Sequence, residues 1–142
     1  MFSKQESARI KTEFWTAFGK SFPRKWLLYN TKIKDFAFKF SAERKRAEVS
    51  LDIAMKEEAL RLAYFEKMQA LESILEEALG EVSWEAFYTL ENGKTISRIW
   101  VTLEDVSIYN KATWSSIFEF FVDKMSKFEA IFYEYEDFIK AI

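Results

Sequence analysis

Ile33-Lys34-Asp35-Phe36-Ala37-Phe38-Lys39-Phe40, a charged turn from Ser41 to Arg46, then Ala47-Glu48-Val49-Ser50-Leu51-Asp52-Ile53: this stretch decides the fold. Phe36, Phe38 and Phe40 alternate with Ala37 and Lys39. Ala47, Val49, Leu51 and Ile53 alternate with Glu48, Ser50 and Asp52. Successive side chains of a strand point to opposite faces, so the pattern predicts an antiparallel hairpin with one apolar and one polar face. Two registers keep the apolar face inward. One sets Asp35 opposite Asp52 and Lys39 opposite Glu48, bringing two carboxylates together. A shift by two residues removes that clash.

Helical patterns flank the hairpin. Ser3-Lys4-Gln5-Glu6 fits a capping box, and a helix is expected from there to about Phe18, with Gly19 as its stop. Lys20 to Lys32 reads as a loop holding the only proline, Pro23, and Leu27-Leu28-Tyr29 as either a short strand or an anchor. From Lys56 to Leu79 the residues Leu60, Tyr64, Met68, Leu71, Leu75 and Ala78 recur at helical spacing, and Gly80 closes the run. Trp84–Glu91 and Lys94–Leu103 flank Asn92-Gly93, the dipeptide favoured in two-residue type I′ turns. That loop sets Thr89 opposite Ile96 and Phe87 opposite Arg98. Trp84, Ala86, Tyr88 and Leu90 then share the core face with Ile99, Val101 and Leu103, while Phe87, Ile96 and Trp100 fall on the other. Val106–Tyr109 suits a short fifth strand.

A final helix is expected from about Thr113 to the end, with a stripe running from Trp114 through Phe121 and Phe128 to Ile142. Thirty residues span about 45 Å at the helical rise, whereas a domain of this length is roughly 30 Å across. The stripe must therefore overhang, where it can meet a second copy, or the helix must break. The fold class is α+β in a single domain, 1–142: one antiparallel sheet of four or five strands with three helices, in the order α-β-β-α-β-β-(β)-α. A faint repeat at an offset of 57 residues pairs Val49-Ser50 with Val106-Ser107 and Lys67-Met68 with Lys124-Met125, which raises an internal ββα duplication.

The 142 residues contain no Cys and no His. Disulfides, thiolate zinc sites and cysteine nucleophiles are excluded, as are the commonest general base and transition-metal ligand. No Gly-rich phosphate loop is present, no cofactor is expected, and no apolar run or leader-like N-terminus points to a membrane. A cytoplasmic location is the expectation. Charge is uneven. Residues 1–50 carry 12 Lys/Arg against 5 Asp/Glu, and residues 51–142 carry 9 against 18. Such a split either draws the two halves together in the fold or leaves a basic face for an anionic partner.

Three functions follow. A nucleic acid is one partner: Lys20, Arg24, Lys25, Lys32, Lys34, Arg44, Lys45 and Arg46 can contact phosphates, and Trp26 can stack on a base. A homodimer through the aromatic C-terminal helix is the alternative. A metal-dependent nuclease is the third, with Asp35 and Glu43-Arg44-Lys45 matching an acid and a Glu-x-Lys triplet, and Asp35 and Asp52 as metal candidates. Its weakness is that the triplet lies in a turn. A non-catalytic binding module is the leading expectation.

Glu13-Phe14-Trp15-Thr16-Ala17-Phe18-Gly19, Trp26-Leu27-Leu28-Tyr29-Asn30-Thr31-Lys32, Leu51-Asp52-Ile53 and Phe132-Tyr133-Glu134 resemble a bacterial family, domain of unknown function 4268. The resemblance spans nearly the whole chain. That family occurs as short single-domain proteins and as a trailing domain behind nuclease-like regions, which implies a link to DNA handling or defence. It implies no catalytic residues.

Overall fold

A computed structural model describes residues 2–142. Helix α1 (Lys4–Ser21) begins where the Ser3 hydroxyl accepts the Glu6 N–H. It runs through Gly19 rather than stopping there, and ends when the Phe22 N–H bonds the Phe18 carbonyl. Strands β1 (Phe36–Ala42) and β2 (Arg46–Ile53) form the expected hairpin. Its register sets Phe38 opposite Leu51, Lys39 opposite Ser50 and Ala37 opposite Asp52. This is the shifted register, in which no carboxylate faces another. Phe36, Phe38, Val49, Leu51 and Ile53 are buried.

The second helical stretch divides into α2 (Glu58–Gln69) and α3 (Glu72–Leu79), with Leu71 leaving helical geometry between them. A straight helix over both would reach about 33 Å, as long as the domain is wide. The break lets Leu75 and Leu79 return to the core. Gly80, at φ 86, closes α3 in a conformation open to glycine.

Strands β3 (Ser83–Thr89) and β4 (Thr95–Glu104) follow. Their loop has three residues, not two. The Gly93 N–H bonds the Leu90 carbonyl, and the Leu90 N–H bonds the Lys94 carbonyl. Gly93 takes φ 84, so Glu91-Asn92-Gly93 is a tight turn followed by a left-handed residue. The extra residue places Tyr88 opposite Ile96, and an irregularity between Glu85 and Tyr88 sets Glu85 opposite Arg98 and Trp84 opposite Ile99. Trp84 and Ala86 keep their expected core face. Tyr88 crosses to the other face, where its ring meets Trp100 at 5.5 Å. The irregularity is held by tertiary contacts: the Ala86 carbonyl accepts from the Ser97 hydroxyl at 2.8 Å and from the guanidinium of Arg61, a buried residue of α2.

No fifth strand forms at Val106–Tyr109. Its Ile108 N–H bonds the Glu43 carbonyl, in the turn between β1 and β2. One 3-10 turn, Lys111–Thr113, leads into α4 (Trp114–Glu134). The helix stops at Tyr135, and α5 (Glu136–Lys140) turns back so that Ile139 is fully buried. The architecture is α+β, with one four-stranded antiparallel sheet in the order β1-β2-β4-β3 and five α-helices rather than three. Ile117, Phe121, Phe128 and Phe132 belong to this chain's own core, so the stripe does not overhang. The repeat does not map strand onto strand: Val49-Ser50 lies in β2, whereas Val106-Ser107 lies past the end of β4.

Candidate functional site

The loop between α1 and β1 carries Arg24, Lys25, Lys32 and Lys34 and is pinned by hydrogen bonds to α4 and β1. The Leu27 N–H donates to the Glu129 carboxylate at 2.6 Å, and Arg24 bonds the other oxygen of that buried group. The Leu28 carbonyl accepts from the Phe38 N–H at 3.0 Å. The Thr31 hydroxyl donates to the Phe36 carbonyl at 2.7 Å. The Ile33 N–H donates to the same hydroxyl. Leu28, Lys32 and Asp35 all take positive φ, at 46°, 64° and 61°. Each such residue costs about 1–3 kcal/mol and persists only where its surroundings over-determine it. The effect is to bury Leu27 and Thr31 while turning Tyr29 into solvent, at 76% exposure. Leu27-Leu28-Tyr29 is thus an anchor and a turn, not a strand.

Among the described residues, Lys20, Lys25, Lys32, Lys34, Arg44 and Lys45 make no ion pair, while Arg24 pairs with Glu129 and Arg46 lies 3.7 Å from Glu48 and 3.8 Å from Glu43. The six do not form one cluster. Lys34 precedes β1 and Arg44 follows it, at opposite ends of a seven-residue strand that is roughly 23 Å long at the usual rise. Trp26 does not offer a free ring. Phe18 stacks on it at 6.1 Å and the Arg24 guanidinium lies over it at 3.8 Å. Exposed aromatics stand elsewhere. Tyr29 and Trp15 line a groove of about 380 Å³ with Leu28, Ala37, Lys39 and Phe40, along the free edge of β1. The alternation that identified β1 could have flagged its edge, but neither Trp15 nor Tyr29 carries a sequence signal separating it from a core aromatic.

A second concavity lies on the sheet face that carries Lys39, Glu48, Asp52 and Arg98. The Tyr88–Glu91 end of β3 and the Lys39–Ser41 part of β1 line one cleft of about 360 Å³. Beside it Asp52, nearly fully buried, takes two 2.8 Å hydrogen bonds from Arg98 and has Lys39 at 3.5 Å. Burial works to lower the Arg98 pKa, but the hydrogen bonds and charge of Asp52, with Tyr88, outweigh it and leave it raised. Burial pushes the Glu48 carboxyl above its ordinary value, against the pull of Arg46.

Asp35 and Asp52 are not set opposite each other, since Ala37 faces Asp52. Asp35 is exposed and meets β2 through its carbonyl, which accepts the Ala54 N–H. Glu43-Arg44-Lys45 sits in the hairpin turn, as its spacing indicates. Among the described residues no group of three acidic side chains is placed to hold a metal ion. No helix of the described residues is long and apolar enough to cross a membrane.

The model of the family described as Domain of unknown function (DUF4268) matches residues 10–136. No curated protein and no solved structure matches the chain.

Proposed function

The chain belongs to the DUF4268 family, and we propose that this member is a non-catalytic binding module that holds the phosphates of a nucleic acid through its N-terminal basic residues. One observation supports the reading above all: the charge split along the chain is not consumed by the fold. Of the eight cations in the basic set, six make no ion pair among the described residues. Among the described residues of the first fifty, only Arg24 and Lys39 reach an acid of the other half, Glu129 and Asp52. Cations without an ion pair are free to replace the counterions of a polyanion, and the release of those counterions drives binding.

Lys25, Lys32, Lys34, Arg44 and Lys45 changed together to Gln test the proposal. Arg24 and Arg46 are left in place, because Arg24 neutralises a buried carboxylate and its loss would confound binding with stability. The parent chain is expected to bind an oligonucleotide with an affinity that falls steeply with salt. The variant is expected to keep its circular dichroism and to lose about 0.7–0.9 of the log–log salt slope for each phosphate contact removed. A parent chain that binds no oligonucleotide at low salt overturns the proposal.

A further inference from the structure

We propose that the nucleic acid held by this module is single-stranded, with its bases stacked in the groove between Trp15 and Tyr29 along the free edge of β1; this rests on the nucleic-acid reading above. Three features of the groove converge. Its walls are aromatic, and one cation reaches its rim: Lys39, more than half exposed, which also lies 3.5 Å from Asp52. Trp15 stacks on Phe121, ring planes 3° apart at 5.8 Å, which fixes one face of the indole. Tyr29 has no aromatic partner among the described residues, and the pinned loop holds it outward. An exposed ring without an aromatic partner of its own is available as a stacking platform.

The edge of β1 adds polar groups at the same place. The loop closes its first half, through Leu28 on Phe38 and Thr31 on Phe36. The N–H and C=O of Phe40 face the same edge, by the alternation of the strand, and have no protein partner. They can hydrogen-bond the edge of a base seated on the rings. A smaller depression of about 210 Å³, lined in part by unpaired Lys25, Asn30 and Tyr133, adjoins the other side of the same loop. Tyr133 and Lys25 thus line one depression, and Tyr29, Lys39 and Trp15 the other. A duplex hides the faces of its bases and would meet only the cations. A single strand offers the faces to the rings, whatever its sequence.

Fluorescence anisotropy of the full chain with labelled oligothymidine and with a duplex of equal length, at low salt, tests this. The single strand is expected to bind more tightly. Tyr29→Ala is expected to weaken it about tenfold, within the range for one stacked base, with the salt slope unchanged. Tyr29→Phe is expected to retain binding. Tyr29 is exposed, and a thermal melt verifies that each variant is folded. Equal binding of duplex and single strand, with Tyr29→Ala harmless, overturns the stacking groove; the nucleic-acid reading survives if the lysine variants still weaken both. Absence of binding to either form overturns that reading instead. Polyglutamate that displaces the oligonucleotide and loses affinity equally on Tyr29→Ala would make the groove an acidic-peptide site and overturn the proposal.

Discussion

Glu48 shows how position within a sheet outweighs identity. It lies on the face that the alternation assigns to polar groups, yet its side chain is only 13% exposed. Burial raises its pKa, Arg46 pulls it down, and nearby Glu43 raises it again, with a net rise. An acid whose folded pKa is raised holds its proton longer in the folded state than in the unfolded chain. Its contribution to stability is fully present below the unfolded value, near 4.5, and is lost as pH climbs through the folded value. Glu48→Gln is therefore expected to raise the melting temperature near neutrality, to leave it little changed in acid, and to flatten the dependence between. Melts of both proteins across that range check it; an equal offset at every pH would disprove the titration argument. The roles of Trp26 and Tyr29 belong to this scale too. The sequence offered Trp26 as the stacking residue because it sits among cations. Only the fold reveals that Phe18 stacks on it and Arg24 lies over it, while Tyr29, beside the positive-φ Leu28, faces solvent.

At the scale of elements, both hairpins and the helical stretches were legible from period and punctuation, because apolar alternation and Gly placement are local. The details that escaped depend on distant residues. Asn92-Gly93 can occupy the centre of a two-residue turn or the end of a three-residue one, and local chemistry permits both. The second arrangement is coupled to the irregularity in β3, whose carbonyl is satisfied by Arg61 from another element. Gly93→Ala isolates the turn. A Cβ there meets no atom within 4 Å, so the cost is the left-handed backbone alone, about 1 kcal/mol. Urea unfolding is expected to show a lower midpoint at constant slope; an unchanged midpoint would count against the three-residue geometry. The breaks at Leu71 and Tyr135 carry no Gly or Pro, which is why an unbroken pattern conceals them.

For the whole molecule, the decisive facts are the buried C-terminal stripe and the unspent charge. The chain folds α5 back, so most of the C-terminal stripe packs in the chain's own core, while Tyr133, Phe138 and Ile142 remain exposed. Sedimentation at high concentration is expected to give one monomeric species, and a concentration-dependent dimer would show that another face, such as the β1 edge, associates. The alternation of Phe36 to Ile53, the absence of Cys and His, and the surplus of cations in the first fifty residues were properties of the sequence by itself: periodicity sets which side chains share a face, and composition sets which chemistries exist. Which register wins, where helices break, which cations stay unpaired and which aromatic ring faces water were decided by tertiary structure alone. Each depends on atoms far apart in the chain and on the finite width of the core that must enclose them.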